Sequence, residues 1–305
     1  MEFNEFTSSC IQSFLDCRIK FKYQYIDLIA PRRSPWGLTD GSAFHLGMEL
    51  RNSGLLGKEI IKKVRAEYDP IISDETIDED ATNDARYHRE MIVGMVLGYL
   101  VGVKPDYEQI EPEKVVKFKI AGDNFLAMKC DGLCKKNGLD WVKEYKTTAM
   151  ADMERYKGQL ELNFQVDFYM YLLRRHTGKF LEGVLYEIVK KPLIKQKKNE
   201  EFEDYLKRVR KDYLKRPEFY YHKKYVYRSP QEIEKFEDEL FMILIEMQRA
   251  IDGGLYYKNK GNCFKYGECP FKRLCFHSDP EVVKGLMEKY YRQKTTAHEE
   301  LANEG

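Results

Sequence analysis

The chain has 305 residues, 43% of them hydrophobic, and a mean hydropathy of −0.60, so it can bury a sizeable core as one large domain or two small ones. Lys and Arg number 51 against 50 Asp and Glu, which leaves a net charge of +1 and excludes a global basic field for a polyanion. No apolar run is long enough to span a bilayer, and the start MEFNEFTSSC lacks the basic and apolar regions of a signal peptide, so no membrane contact and a cytoplasmic location are expected. Seven cysteines, an odd number, then point to metal ligation or burial rather than to disulfides.

Phe6, Ile11, Phe14, Leu15, Ile19, Phe21 and Tyr25 recur at helical spacing and predict one long helix over 5–30, stopped by Pro31. Thr39 or Asp40 caps a second helix over 42–68, and Ala81, Ala85, Ile92, Val96 and Tyr99 stripe a third over 79–100. After Pro112 the period shortens to two. VVKFKIAGDNFLAMKCDGL and LDWVKEYKT alternate as strands do, with turns at Gly122-Asp123 and Asn137-Gly138, which predicts a meander of about three strands. A helix over 158–175, a strand over 184–189, a charged helix over 200–214 and the aromatic strand FYYHKKYVY follow. Ser229-Pro230-Gln231-Glu232 is a capping box ahead of the stripe Ile233, Phe236, Leu240, Leu244, Met247 and Ile251, and the polar end TTAHEELANEG is expected to fray.

Chemistry concentrates in the hairpin Lys129-Cys130-Asp131-Gly132 … Trp141-Val142-Lys143-Glu144-Tyr145-Lys146-Thr147. With Asn137-Gly138 as a two-residue turn, Lys136 pairs with Leu139 and Asp131 falls opposite Glu144. Opposed residues hold their Cβ atoms about 4.5–5.5 Å apart on one face, and Lys146 points the same way as Glu144. Two carboxylates this close repel, so such a pair calls for a cation or a shifted proton, and removing either one is expected to relieve strain. Hard oxygen ligands suit Mg²⁺ or Mn²⁺, and a lysine beside them suits metal-assisted phosphodiester hydrolysis. On spacing alone a solvated strand face is an equal reading.

Asp131-x12-Glu144-Tyr145-Lys146 resembles the Asp…Glu-x-Lys core of the PD-(D/E)XK nucleases, with Cys130 where the motif's Pro stands. Upstream, Gly41-Ser42-Ala43-Phe44-His45 is similar to the Gly-x-x-x-His helix of the RecB-type branch, and downstream Gln165-Val166-Asp167-Phe168-Tyr169 matches its Gln-x-x-x-Tyr motif. The resemblance implies catalytic roles for Asp131, Glu144, Lys146, Gln165 and Tyr169, with His45, Asp131 and Glu144 as ligands of Mg²⁺ or Mn²⁺. The implied fold is α/β and restriction-endonuclease-like: a central mixed sheet flanked by helices, with helical insertions and the termini joined by a metal cluster. It implies one domain over 1–280, with a helical part at 1–105, a catalytic core at 113–228 and a C-terminal helix and cysteine loop at 229–280. Residues 281–305 are read as a helical or disordered tail.

Cys263-x5-Cys269-Pro270-x4-Cys275 crowds three cysteines into a loop that is poor helix or strand material, which suggests ligands rather than core residues. Ser13 to Phe21, around Cys17, resembles the first cysteine element of iron–sulfur RecB-type nucleases, a group that includes the AddB subunit and CRISPR spacer-processing enzymes. That resemblance implies a [4Fe–4S] cluster on Cys17, Cys263, Cys269 and Cys275, although the commonest loop there is Cys-x2-Cys. Zinc is the alternative occupant and Cys10 the alternative fourth ligand, while Cys130 and Cys134 are expected to pack as small apolar groups. The expected function is a metal-dependent DNA nuclease, an exonuclease of the kind seen in phage and bacterial recombination or replication, acting on single- or double-stranded DNA. A non-cleaving DNA-binding subunit and an RNA-processing nuclease are the other readings. Basic stretches at 190–191, 195–198, 207–208 and 210–211, with the aromatic strand, are expected to form the DNA track.

Overall fold

The computed structural model describes residues 3–75, 77–265 and 267–301. In chain order its first half comprises β1 (Glu5–Phe6), α1 (Ser8–Asp16), α2 (Arg18–Phe21), β2 (Ile29–Pro31), α3 (Trp36–Asn52), α4 (Gly57–Ala66), α5 (Asp69–Ile72) and α6 (Glu79–Gly102). The strands β3 (Glu108–Glu111), β4 (Lys114–Lys119), β5 (Phe125–Cys130), β6 (Gly132–Lys136) and β7 (Leu139–Thr148) follow, then α7 (Met153–Glu161), α8 (Phe164–Thr177) and β8 (Gly183–Lys190). The chain continues through α9 (Phe202–Lys215), α10 (Pro217–Tyr220), β9 (Tyr221–Tyr227), α11 (Pro230–Gly253), α12 (Lys272–Cys275), α13 (Pro280–Tyr290) and β10 (Tyr291–Gln293).

The central sheet has the order β3-β6-β7-β8-β9, with β7 and β8 parallel and the other neighbours antiparallel, so it is mixed as expected. Every residue of β8 is buried, as a strand covered on both faces requires. One face carries Val142, Val184, Tyr186, Ile188 and Val226 into a core with α1, α8 and α11. The other carries Tyr145 and Val189 into a core with α3, α4, α6 and α9. The capping box forms as read, with Glu232 N–H donating to Ser229 Oγ at 3.2 Å and Ser229 N–H to Glu232 Oε2 at 2.7 Å. Behind it Ile233, Phe236, Leu240, Leu244 and Met247 are buried, each contributing roughly 1.5–3 kcal/mol on the usual area scale.

Four expectations change. The single helix over 5–30 is broken at Cys17, whose backbone is extended (φ −165°, ψ 116°), and it ends in a π-helical turn over Lys22–Ile26. The freed Asp16 carbonyl accepts instead from the side chains of Asn259 (3.0 Å) and Asn262 (2.7 Å). The expected second helix over 42–68 is two, α3 from Trp36 to Asn52 and α4 from Gly57 to Ala66, and Asp40 lies inside α3, fully buried, rather than at its cap. The helix over 158–175 is two helices, because the Asn163 side chain accepts from Gln165 N–H (3.0 Å) and restarts the chain as α8. The C-terminal segment does not fray through residue 301. β10 pairs antiparallel with β2, and His298 Nε2 lies 2.7 Å from the Glu5 carbonyl. Residues 302–305 of the expected tail lie outside the described residues.

The meander is split between two sheets. β4 and β5 form a hairpin in a three-stranded sheet of order β1-β5-β4, whereas β6 and β7 form the hairpin of the central sheet in the expected register, from Gly132↔Lys143 to Lys136↔Leu139. Asn137 and Gly138 (φ 53° and 80°) give it the turn that matches strand twist. The chain changes sheets at Asp131-Gly132, where Gly132 has φ +152° and a Cβ would stand 2.7 Å from the Glu111 carbonyl oxygen and 2.8 Å from that of Pro112. Backbone cannot give way as a side-chain tip can, so Gly132→Ala is expected to cost roughly 2 kcal/mol or more in urea unfolding. A neutral result would show that the crossing does not depend on glycine.

Candidate active site

Asp131 follows the last residue of β5, and Gly132, just after it, is the last rung of the β6–β7 ladder, so its carboxylate is free to turn toward β7. Its Oδ2 accepts from Tyr145 N–H at 2.7 Å, and its Oδ1 lies 2.7 Å from His45 Nδ1 on α3. Glu144, 5% exposed, is held from the other side, where Lys146 Nζ donates to its Oε1 at 2.8 Å. The same ammonium donates to Gln165 Oε1 at 2.8 Å, Gln165 Nε2 to Tyr169 OH at 2.7 Å, and Tyr169 OH to the Lys129 carbonyl at 2.7 Å. The five residues expected to act in catalysis and His45 therefore meet in two linked chains. Gln165 and Tyr169, one helical turn apart on α8, brace Lys146 and the strand that ends at Asp131.

Burial pulls the His45 imidazole down, but the Asp131 carboxylate outweighs it and leaves His45 above its ordinary value. Burial pushes Asp131 up, yet His45 and the Tyr145 N–H hold it below the usual carboxylate range. Glu144 stands above that range, because burial and the charge of Asp131 together exceed the pull of Lys146. Lys146, lowered by burial, is carried above its usual value by Glu144. Environments that push two neighbouring carboxyls apart are typical of reacting sites.

Glu144 Oε2 is buried and has no hydrogen-bond partner, so an anionic oxygen is left without a positive neighbour of its own. This hard oxygen beside Asp131 and an imidazole is a donor set that fits Mg²⁺ or Mn²⁺. Among the described residues no three His, Cys, Asp or Glu side chains converge tightly enough to hold an ion as they stand, since His45 is engaged with Asp131 and Lys146 with Glu144.

Cys17, Cys263, Cys269 and Cys275 line one cavity of about 20 Å³ together with Ile19, Phe271 and Phe276. Burial and their mutual proximity push the Cys269 and Cys275 thiols up, and Lys20 and Lys258 oppose this. Cys10 is fully buried in the core with Ile11 and Phe14. Cys130 is likewise buried, and Cys134 packs between Trp141 and Leu185 with its thiol pushed up to about 12 by burial.

With this geometry in place, comparison with known proteins adds the family. The profile of the PD-(D/E)XK nuclease superfamily matches residues 5–276. The chain belongs to that superfamily. No curated protein matches it. A solved structure described as "Crystal structure of SSO0001" is similar at 14% identity, covering 70% of this chain and 77% of its own, with a TM-score of 0.25.

Several cations of the expected DNA track have partners within the protein, while Lys195, Lys197, Lys198 and Lys211 are exposed, with no carboxylate partner for their ammonium groups among the described residues. Lys190 donates to the Ala151 carbonyl (3.1 Å) and Lys191 to Asp40 (2.6 Å), while Arg208 pairs with Glu200 (2.7 Å), Lys207 with Asp204 (3.0 Å) and Arg210 with Glu90 (3.1 Å). Sequence reading also missed Asp40 as a buried anchor, which Tyr68 OH (2.9 Å), His88 Nδ1 (2.8 Å) and Lys191 surround. The signal was present, since Asp40, Phe44 and Met48 share one helical face.

Removing a carboxylate is now expected to cost stability rather than to relieve strain, because each carboxylate has its own partner. Metal-free Glu144→Ala strands the Lys146 ammonium, and Asp131→Ala strands the Tyr145 N–H. Each is expected to lower stability by roughly 1–3 kcal/mol in urea unfolding. A gain in stability would restore the view of a mutually repelling pair.

Proposed function

We propose that the protein is a Mg²⁺- or Mn²⁺-dependent DNA nuclease of the RecB-like branch, acting as an exonuclease. The observation that carries this reading is the meeting of His45, Asp131, Glu144, Lys146 and Gln165 around the partnerless oxygen of Glu144. Asp131, Glu144 and His45 would hold the ion, which when bound acidifies water and offsets charge on the scissile phosphate. Lys146 supplies a fixed positive charge for the phosphoryl oxygens as negative charge builds on them. Gln165 fixes the direction of that ammonium, and Tyr169 fixes Gln165. Asp131, held low, keeps its charge through the neutral range, while the raised Glu144 beside Lys146 is the group suited to exchange a proton with an attacking water.

The cysteine cavity supports a [4Fe–4S] cluster as the second cofactor. A single zinc needs its thiolates about 2.3 Å from one point, whereas a cluster spreads its ligands over several irons. The four side chains line one small cavity, one of them from the start of the chain and three from its end. Two of the elements they tie together, α1 and α12, lie near opposite ends of the chain.

Anaerobically purified protein is expected to be brown and to cleave end-labelled linear DNA with Mn²⁺ or Mg²⁺ while leaving closed circles intact. Lys146→Ala lowers the rate by roughly a hundredfold or more, the size typical for losing one preorganised charge. Binding without cleavage under all metal conditions would identify an accessory subunit, and cleavage of closed circles would remove the exonuclease assignment. Stoichiometric zinc without iron would remove the cluster.

A further inference from the structure

The outer side of the cysteine loop combines two features that the active site does not use. Tyr257 (58% exposed), Phe264 (64%) and Phe276 (49%) present large rings to water. Each ring has a cation against it: Arg18 lies 4.5 Å from the Tyr257 centroid, Lys272 4.8 Å from that of Phe264 and Lys258 5.0 Å from that of Phe276. Lys258, Lys272 and Phe276 also line the thiol cavity, which places this surface directly over the four cysteines.

We propose that this surface binds single-stranded polynucleotide, with unpaired bases stacking on the rings and the ammonium groups meeting the phosphates between them. The proposal rests on the nuclease reading above, since it supplies a second contact for the same class of substrate. Base stacking on aromatic side chains tolerates any sequence, and nearby cations hold the backbone, so alternating rings and lysines form a strand track. Lys258 and Lys260 have no carboxylate partner among the described residues, whereas Arg18 pairs with Glu246 and Lys272 with Glu268, as Lys207, Arg208 and Arg210 pair on α9. The charge of Lys258 and Lys260 remains available to an anionic partner.

The platform is also held in place before any strand arrives. Ile19 N–H donates to the Tyr257 carbonyl at 3.3 Å, Lys265 pairs with Asp16 at 2.8 Å, and Asn259 and Asn262 bond the Asp16 carbonyl. Rings fixed in this way lose little freedom on binding, which favours affinity. A paired duplex hides its base faces, so the rings discriminate in favour of unpaired segments. DNA and RNA strands share the stacking chemistry, and the 2′-hydroxyl is the group that would separate them.

The test uses full-length Glu144→Gln protein with its cofactor in place and a labelled oligonucleotide of mixed sequence, followed by fluorescence anisotropy in buffer without divalent metal. Phe264→Ala and Phe276→Ala are each expected to raise Kd for the single strand roughly tenfold, with Phe→Tyr at the same positions restoring it. Melting temperature and iron content of Phe264→Ala stay at the parent values, because that ring is exposed and does not line the thiol cavity. Lys258→Gln and Lys260→Gln each reduce the slope of log Kd against log salt by about 0.7. Lys260→Gln, at a residue outside the cavity lining, keeps the proposal testable if a ring variant or Lys258→Gln loses its cofactor. The DNA and RNA arms respond alike, and the blunt duplex arm is insensitive to both rings. Unchanged Kd in the single-strand arms, or an equal loss on duplex, overturns the proposal, and a surface that captures a protein instead gives the first of these results. Wild-type cleavage with undiminished strand binding by the variants sinks this inference alone, whereas ring-dependent binding by a chain that never cleaves sinks the nuclease reading alone.

Discussion

Asp131 reaches the middle of β7 only because the chain leaves one sheet and enters another beside it. Had β5 and β6 continued as one strand, Asp131 would be one more rung of a ladder, with its backbone paired and its side chain fixed normal to the sheet. Breaking the ladder at Gly132 frees the carboxylate to lean onto the Tyr145 N–H and the His45 ring. The three glycine contacts around this crossing, Gln109 Nε2 and the Glu111 and Pro112 carbonyls, show how tightly the strand from β3 closes over it. Gln109 Nε2 also donates to the Leu133 carbonyl at 3.0 Å, so the exit from the crossing is pinned as well as its entrance.

Electrostatics follows from that geometry. The crossing sets two carboxylates close together in a dry region, and each is stabilised by a different cationic or polar partner from a different layer of the fold. His45 comes from α3 on one face of the sheet, and Gln165 and Tyr169 come from α8 on the other. Lys146 joins the two, being on the same strand as Glu144 and within reach of α8. The site is therefore assembled across the sheet. Asp40 completes the arrangement on the α3 side, because Lys191, whose N–H donates to the Thr148 carbonyl at 2.7 Å, ties the end of β7 to the helix that carries His45.

Much of this was legible in the sequence where local chemistry decides the outcome. The Asn137-Gly138 turn fixed the hairpin register, the Ser229 box fixed the start of α11, and residue order alone placed Asp131, Glu144, Lys146, Gln165 and Tyr169 on suitable elements. The misreadings share a cause. Periodicity continues across Cys17 and across Leu162-Asn163, so the apolar pattern predicted unbroken helices, but partners remote in sequence decide where a helix stops. At Cys17 the partners are Asn259 and Asn262, more than two hundred residues away. The assignment of α3 failed differently, because an acidic residue near a helix start is usually a cap, and only the partners gathered around it, Tyr68, His88 and Lys191, make a buried Asp40 tolerable. The split of the meander into two sheets has no local signal at all, apart from the glycine at which it happens.

The fate of the basic residues shows why charge runs are a poor guide to a nucleic-acid surface in a nearly neutral chain. With 51 basic and 50 acidic residues, many cations find an acid, and on α9 Lys207, Arg208 and Arg210 do so, while Lys211 and Lys215 have no carboxylate partner among the described residues. Pairing removes the long-range attraction that would draw in phosphate, since each pair is a dipole rather than a charge. The cations that matter are those left over, and the sequence does not mark them. Around the cysteine loop, Lys258 and Lys260 are left over beside rings that the core has no room to bury, whereas Lys146 is left with one buried carboxylate and an amide. A phosphate-bearing chain that contacts this molecule meets unpaired positive charge at the loop and organised positive charge at the hairpin.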